Sequence, residues 1–281
     1  MRVRFLGTAA ADGYPNPFCA CDNCQRARAA GGKSLRRRSA LLIDDDLLLD
    51  LGPDVVAATQ AQRLDLTQLQ YCLQTHEHED HLHPALFLAH SPATGVPDAP
   101  RLHFYAAAPV IDLIRQTPSK AGLRIAAGMG EALNLTLHAI EPFRPFSVGP
   151  YRALPLRAAH DSALAPLLYL IERDGRCLFY ATDTGPLPEE TWAALRRWGG
   201  RLDLVIMDHT FGLAEATARH LNSAQFLIQT ARKRDEKLLA TDARLYAHHL
   251  AHHSNPPHDE LARYAAERGY LVASDGLEVG V

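Results

Sequence analysis

Potential metal ligands are concentrated in one short segment, residues 75–81. The segment has the pattern His-x-His-x-Asp-His, in which His76, His78, Asp80 and His81 are the donors. Imidazole and carboxylate groups are ligands that divalent metals such as zinc and manganese accept. Donors at this spacing cannot all face one side of a regular helix or strand, so we predict a loop that wraps around metal. The alternative interpretation is a polar loop with incidental histidines.

Further donors stand at or near the ends of predicted elements. His160 and Asp183 each follow an apolar stretch, and His249 lies in a segment that carries two His-His pairs. A dinuclear site needs more ligands than one short loop supplies, and a carboxylate such as Asp183 has two oxygens with which to bridge two metals. Taken singly, each residue is more often a turn or cap residue, whereas the ordered set favours a metal centre. The sequence leaves the register of the ligands open among His248, His249, His252 and His253.

A second cluster of donors has the pattern Cys-x-Cys-x-x-Cys and comprises Cys19, Cys21 and Cys24. Three thiolates on a short loop and one distant imidazole make a closed tetrahedral zinc site. His252 is the best fourth ligand, because it stands three residues after His249 and one segment would then serve both sites. A structural zinc would hold together a loop with few apolar residues. The alternative is three free thiols.

Composition limits the classes of function. With 281 residues, 47% of them hydrophobic, the chain suits one domain over residues 1–281 with a sizeable core. A net charge of −3 provides no general attraction for nucleic acid. No stretch approaches the roughly 18 apolar residues of a membrane helix, and the first residues lack the apolar region of a signal peptide. We therefore expect a cytoplasmic protein with a small-molecule substrate, and neither a membrane nor a nucleic-acid partner.

Predicted strands and helices alternate in both halves of the chain, with no linker rich in Gly, Pro or Ser. This order predicts one α/β domain of layered sheets, in which strand ends support the metal donors. Buried strands such as 204–207 offer no obvious edge for pairing, although a homodimer stays open. A loop or insertion is predicted at 118–131. The predicted strands are 3–6, 39–44, 47–51, 69–73, 102–105, 133–140, 151–158, 167–172, 177–182, 204–207 and 277–281, and the predicted helices are 54–63, 109–116, 188–198, 223–232 and 257–268.

The ordered donor set resembles that of the metallo-β-lactamase fold of hydrolases. The segments 5–8, 48–52 and 274–280 carry the same resemblance, which covers nearly the whole chain. It implies an αββα sandwich that holds two metals at the edge between its sheets. Asp50 matches the family's structural aspartate beside the histidine loop and is not expected to be a ligand. The implied ligands are His76, His78 and His160 for one metal, Asp80, His81 and His249 for the other, and Asp183 between them.

The cysteine loop narrows the resemblance. Together with His249 and His252, it is similar to the PhnP subgroup, cyclic phosphodiesterases associated with phosphonate breakdown. The segment 6–15 resembles that subgroup and equally PqqB, a protein of pyrroloquinoline quinone biosynthesis. The intact His-x-His-x-Asp-His motif favours the hydrolase, because PqqB-like proteins depart from it.

Two residues are candidates for a direct catalytic role. Asp80 would orient the hydroxide that two metals activate, while also binding one of them. The histidine that matches His220 in PhnP-like and transfer-RNA-processing relatives faces the substrate phosphate. A cationic His220 would stabilise the charge of the transition state or protonate the leaving alkoxide. The alternative is a surface or capping histidine, and His209 is a further candidate for substrate contact near the mouth of the site.

The sequence thus predicts a dinuclear metal-dependent phosphodiesterase that acts on small cyclic or nucleotide-like phosphodiesters. Its predicted cofactors are two catalytic divalent metals, zinc or manganese, and one structural zinc. The alternatives are a PqqB-like carrier or oxidative biosynthetic protein, a transfer-RNA 3′ endonuclease, and a hydrolase of acyl groups. The near-neutral charge disfavours the endonuclease, because RNA binding depends on basic surface.

Overall fold

The computed structural model describes residues 1–116, 130–215 and 217–281. Of the loop predicted at 118–131, residues 118–129 lie outside these ranges, and Gly130 begins a short helix. In chain order the strands are β1 Arg2–Gly7, β2 Ala40–Ile43, β3 Leu47–Leu49, β4 Tyr71–Leu73, β5 Leu102–Ala107, β6 Leu135–Ile140, β7 Phe146–Val148, β8 Tyr151–Arg157, β9 Leu167–Arg173, β10 Arg176–Ala181, β11 Leu202–Asp208, β12 Leu239–His248, β13 Leu271–Val272 and β14 Glu278–Gly280. The helices are α1 Asp22–Ala30, α2 Val55–Gln62, α3 Leu86–Ala89, α4 Ala108–Gln116, α5 Gly130–Leu133, α6 Glu189–Trp198, α7 Ser223–Asp235 and α8 His258–Ala266. None of the helices in the described ranges is both long and apolar enough to cross a bilayer.

The strands of the described residues form two mixed sheets of seven strands each. The first sheet has the order β14-β1-β2-β3-β4-β5-β6, and the second has the order β13-β12-β11-β10-β9-β8-β7. The predicted hairpin is present as β2 and β3, which pair antiparallel. Its turn places Asp44 and Asp45 in the left-handed backbone region, which aspartate tolerates better than most residues.

Apolar side chains from both sheets meet in one buried cluster. It contains Val3 and Leu41 of the first sheet and Tyr169 and Ile206 of the second, and it continues into α2 and α4. A second buried cluster joins the second sheet to α6, α7 and α8. The layers are therefore helix, sheet, sheet and helix, which confirms the predicted αββα sandwich of the metallo-β-lactamase type.

The topology brings several strand ends to one edge of the sandwich. Strands β10, β11 and β12 are mutually parallel, and β8 shares their direction because β8 and β10 both run antiparallel to β9. The first sheet reaches the same place, since the backbone N–H of Leu167 in β9 donates to the carbonyl of Thr75 just after β4, at 2.9 Å. Segments that follow β4, β8, β10, β11 and β12 can thus converge.

The ten-residue strand β12 differs from the sequence prediction, which placed no element between 232 and 257. Its first half carries the exposed polar residues Thr241 and Asp242, whereas residues 245–248 are buried. Polar residues at a sheet end conceal the apolar alternation that identifies a strand. Helix α1 was also missed, because Cys24 and Ala27 are its buried residues and the remainder is largely charged or polar.

Candidate metal centre

The first group of donors joins the segments that follow β4, β8 and β10. Donor atoms of His76, His78, His160 and Asp183 all lie within 4.8 Å of one another. His78 Nδ1 lies 2.9 Å from His76 Nε2 and 3.2 Å from His160 Nε2, and Asp183 Oδ2 lies 3.1 Å from His76 Nε2. Ring nitrogens that face each other at these distances form a pocket suited to a single cation.

The second group uses Asp183 again. Donor atoms of Asp80, His81, Asp183 and His249 also lie within 4.8 Å of one another, and all four residues are buried. His81 Nε2 lies 3.1 Å from Asp80 Oδ2, 3.2 Å from Asp183 Oδ2 and 3.4 Å from His249 Nε2. Asp183 therefore belongs to both groups, in the position predicted for a bridging carboxylate.

Asp50 orients the histidine loop through hydrogen bonds to its carboxylate. Its Oδ2 accepts a hydrogen bond from His81 Nδ1 at 2.8 Å, and its Oδ1 accepts from the backbone and hydroxyl groups of Thr75, both at 2.8 Å. Gln74 Nε2 donates to the same Oδ1 and to the carbonyls of His76 and His81. These bonds leave Nε2 of His81 free to face the second group, as is usual for metal-binding histidines.

Hydroxyl groups hold two other histidines in the same way. Thr75 Oγ1 lies 2.9 Å from His76 Nδ1, and Thr210 Oγ1 lies 2.8 Å from His249 Nδ1. With Nδ1 engaged on the outer side, Nε2 of each ring is directed inward. The donor geometry is therefore fixed by neighbours rather than by the donors alone.

Local backbone conformation also serves the site. Asp50, Asp183 and His249 have φ values of 68°, 54° and 58°. This left-handed conformation costs a non-glycine residue about 1 kcal/mol, and it persists where the surrounding structure fixes it. Gly52 allows close packing of the loop, since a Cβ there would lie 2.6 Å from the carbonyl oxygen of Asp80. The site thus concentrates strain at residues that position or supply donors.

Electrostatics favour a cation at this edge. Burial opposes the ionisation of Asp80 and Asp183, yet neighbouring histidines hold the pKa of both carboxyls well below the usual range. Burial lowers the pKa of His160 to about 4, so this imidazole is neutral with a free lone pair. Burial would also lower the pKa of His81, but Asp80 and Asp50 raise it well above the ordinary value. The carboxylates therefore attract positive charge to His81 Nε2.

The residues present fit two divalent cations. Two buried atoms in the groups, His160 Nδ1 and Asp183 Oδ1, have no hydrogen-bond partner within the described residues. Such orphaned polar atoms are rare in folded proteins and call for a ligand. Ionised carboxylates and neutral imidazoles are the forms that bind metal, and the donor types suit zinc and manganese.

His220 lies against the donor groups, as predicted, and it has a partner that the sequence reasoning missed. Its Nδ1 lies 3.2 Å from both Asp208 Oδ2 and Asp183 Oδ1. Burial would lower the pKa of His220, but the hydrogen bond to Asp208 raises it above the ordinary value. The His220 ring stacks on His249 at 5.9 Å and contacts His160 at 5.0 Å. The available signal for Asp208 was a lone carboxylate at the end of a buried strand.

The suggested contact between His209 and substrate was wrong. The side chain is buried, its Nδ1 lies 2.9 Å from Asn255 Oδ1, and its Nε2 lies 3.2 Å from the Tyr270 hydroxyl. The ring also packs on Phe226. Both nitrogens are therefore engaged with the protein, and burial lowers the pKa of His209 to about 4.

The cysteine cluster assembles with the predicted histidine. Donor atoms of Cys19, Cys21, Cys24 and His252 lie within 4.8 Å of one another. His252 Nδ1 lies 3.7 Å from Cys21 Sγ, and although burial opposes it, this hydrogen bond helps lower the pKa of Cys21 to about 6. Burial raises the pKa of Cys24 to about 12. The set of three sulfurs and one imidazole suits a closed zinc site.

One short segment connects the two sites and explains the histidine register. His248 is buried, with Nε2 3.0 Å from the carbonyl of Gly7, and His253 is exposed, so neither joins the groups formed within the described residues. Between His249 and His252, the backbone of Leu250 exchanges hydrogen bonds with the loop after β1. The two sites therefore share one short backbone segment.

Comparison with known proteins gives the family and the fold. The model of the beta-lactamase superfamily domain matches residues 46–243. Coenzyme PQQ synthesis protein B of Klebsiella pneumoniae is 29% identical over an alignment of 244 residues, and the match covers 75% of this chain and 72% of that protein. The zinc-bound PqqB of Methylobacterium extorquens superimposes with a TM-score of 0.76 at 20% identity, covering 100% of both chains. A diphosphatase from the PhnP family superimposes with a TM-score of 0.72 at 19% identity, covering 99% of this chain and 97% of the other.

The family match covers more than half of the chain, and the strand ends of the αββα sandwich carry the clustered donors. The protein therefore belongs to the beta-lactamase superfamily, and its fold is that of the metallo-β-lactamases.

Proposed function

We propose that this protein is a hydrolase, a phosphodiesterase that cleaves small cyclic or nucleotide-like phosphodiesters with two divalent metals. The observation that carries the proposal is the Asp208–His220 pair, which stands at 3.2 Å beside the donor groups. A histidine held by a carboxylate next to a two-metal site is suited to the departure of an alkoxide, which is a poor leaving group without a proton. The likeness to the PhnP-family diphosphatase supports hydrolysis at phosphorus more generally.

The catalytic donors are assigned to two metals that share one carboxylate. When bound, two divalent cations lower the pKa of a bound water and neutralise charge that develops on the phosphoryl oxygens. The proposed ligands are His76, His78 and His160 for one cation, Asp80, His81 and His249 for the other, and Asp183 for both.

Asp80 acts on the attacking water, and His220 acts on the leaving oxygen. The carboxylate of Asp80 orients the attacking water as a hydrogen-bond acceptor while it binds its cation. A bond forms between the water oxygen and phosphorus while the water releases one proton to solvent, the bond from phosphorus to the leaving oxygen breaks, and His220 gives that oxygen a proton. One water and one diester thus become a monoester and an alcohol, and solvent returns the proton to His220.

Asp208 positions His220 for this transfer. The carboxylate binds Nδ1, and the carboxylate is itself held by Thr210 Oγ1 at 2.8 Å and by the backbone N–H of Leu221 at 2.9 Å. Nε2 of His220 forms no hydrogen bond with the described residues and is available to the substrate.

Purified protein with measured metal content tests the proposal. We expect hydrolysis of bis-p-nitrophenyl phosphate and of 2′,3′-cyclic nucleotides in the presence of manganese, and its loss in His76→Ala. His83→Ala is the matched control, because this exposed histidine follows the same loop and belongs to neither donor group. Protein that carries both metals but cleaves no diester contradicts the proposal.

The alternative is a protein of pyrroloquinoline quinone synthesis, which the PqqB relatives favour. Such a protein would act on an amino-acid-derived quinone precursor. Oxidation of that precursor without any cleavage of diesters would support the alternative over the phosphodiesterase.

A further inference from the structure

A cavity of about 430 Å³ lies directly beside the first donor group. His160 forms part of its wall, while both ring nitrogens of this residue face the donor groups, 3.2 Å from His78 Nδ1 and 3.3 Å from Asp183 Oδ1. A larger cavity of about 660 Å³ lies near α2 and α3, and none of the clustered donors lines it. The smaller cavity is therefore the one that adjoins the chemistry.

Most of the residues that line the smaller cavity are apolar. Among them are Ala107 at the end of β5, Pro142, Leu164, Ala165 and Leu167. A cavity of this volume with mostly apolar walls is typical of a site that encloses an uncharged organic group.

The charged residues of the wall are already paired with protein groups. Arg157 forms an ion pair with Glu190 at 3.4 Å, and its guanidinium lies over the ring of Phe143. Asp161 accepts a hydrogen bond from the backbone N–H of residue 163 at 2.9 Å and lies 3.6 Å from Arg219. Each charged side chain of the wall thus has an oppositely charged neighbour within the described residues.

The loop that forms the wall is fixed in place before substrate arrives. The backbone N–H of Ala158 donates to the carbonyl of Pro166 at 3.1 Å, and that of Ala159 donates to Thr184 Oγ1 at 2.9 Å. The carbonyl of Ala159 accepts from Gly185 at 2.7 Å. A preformed wall binds its ligand without paying the entropy of ordering a loop.

We infer that, in an acyclic diester, this cavity binds the ester group that stays on phosphorus, and that this group is uncharged and apolar, about the size of an aromatic ring. The inference rests on the proposed function. His220, which serves the leaving oxygen, does not line the cavity, so the departing group lies outside it. The retained group then fills the cavity while phosphorus stays beside the donor group of His160.

Two diesters with one leaving group separate the cavity from the chemistry. In p-nitrophenyl phenyl phosphate and methyl p-nitrophenyl phosphate, only the retained group differs. We expect Ala165→Phe, which fills the cavity, to lower kcat/KM for the phenyl ester by about tenfold or more relative to the methyl ester. Ala163→Phe is the matched control, because residue 163 is exposed on the same loop and does not line the cavity, so the ratio should stay at its wild-type value.

Leu164→Ala gives the opposite change, because it enlarges the cavity without adding bulk. This variant should hydrolyse p-nitrophenyl naphthyl phosphate with a higher kcat/KM than the wild type does. The test therefore remains informative if Ala165→Phe does not fold.

Calorimetry with diphenyl phosphate and dimethyl phosphate provides a readout independent of turnover, with tighter binding expected for the diphenyl ester. Wild-type protein that cleaves neither diester refutes both the proposed function and the cavity assignment. If both diesters are cleaved and the ratio of kcat/KM for the phenyl ester to that for the methyl ester is the same in all variants, the cavity assignment is refuted and the proposed function is not.

Discussion

His81 donates from Nδ1 to Asp50 Oδ2 at 2.8 Å, and both side chains are completely buried. The bond fixes the ring so that Nε2 faces Asp80 and Asp183. Asp50 has no place in the donor groups of the described residues, yet it controls how one donor presents its lone pair. A carboxylate in this role raises the basicity of the histidine it holds.

Asp50→Asn keeps the shape of this residue and removes its charge. We expect metal affinity of the second donor group to fall by about 10–100-fold, because a neutral amide orients and polarises His81 less well. Competition with a chromogenic chelator measures the affinity. Asp54→Asn is the control, since Asp54 pairs with Arg38 and lies outside the donor groups of the described residues. Equal losses in the two variants would show that Asp50 has no special role.

The role of His220 predicts a dependence on the leaving group. A p-nitrophenolate departs without a proton, whereas the alkoxide of a 2′,3′-cyclic nucleotide needs one. His220→Ala should therefore slow hydrolysis of the cyclic nucleotide by about 10²–10⁴-fold, and it should slow hydrolysis of bis-p-nitrophenyl phosphate much less. Asp208→Asn should show the same selectivity with a smaller loss, because His220 remains but is less well positioned. A uniform loss on both substrates would assign His220 to structure or metal binding.

Metal content distinguishes the cysteine site from the catalytic groups. With the proposed ligands, the wild type should bind about three metals per chain, and His252→Ala about two, since one of four zinc ligands is lost. His253→Ala is a matched control, because this adjacent histidine lies outside the described donor groups and should keep the full content. Elemental analysis of the wild type and both variants measures the metal content. About two metals in the wild type would contradict the structural zinc.

The substitution His252→Ala should also affect metal binding by the catalytic donor groups. His252 and His249 share one segment, which the backbone of Leu250 ties to the loop after β1. We expect His252→Ala to weaken the second donor group several-fold in chelator competition, whereas His253→Ala leaves it unchanged. Identical affinities in the two variants would mean that the sites are independent.

The sequence predicted the donor groups because their residues stand at the ends of apolar strands, and strand ends converge by topology. It did not choose between His248 and His249, since neighbours in a strand differ only in which face they reach. The structure ends β12 at His248, which contacts Gly7, and turns the backbone at His249 to a φ of 58°. A segment rich in histidine gives no sequence pattern that would predict this turn of the backbone.

Asp208 shows a second limit of sequence reasoning. A single carboxylate after a buried strand is usually a turn residue, and nothing in its neighbours connects it with His220, twelve positions later. The pairing arises because residues 217–222 lie beside the end of β11, where Leu221 N–H and His220 both bind Asp208. Tertiary contacts of this kind are invisible to local pattern.

Lys233 gives a test of stability that is independent of the catalytic groups. The side chain is completely buried in α7, with Nζ 4.7 Å from the ring of Trp192 and 3.2 Å from Met207 Sδ. Burial lowers the pKa of Lys233 from 10.5 to about 7. Between these values the unfolded chain binds a proton that the folded protein does not, so this group makes stability rise as pH rises from about 7 to about 10.

Lys233→Met should remove that contribution. We expect the variant to be more stable than the wild type at pH 7 by on the order of 1 kcal/mol, because no buried amine must be desolvated. Its stability should also rise less steeply with pH between 7 and 10. Urea unfolding at a series of pH values measures both effects, and Lys33→Met, at an exposed position, controls for the loss of one charge. A parallel pH profile for Lys233→Met and the wild type would show that the buried amine keeps its ordinary pKa.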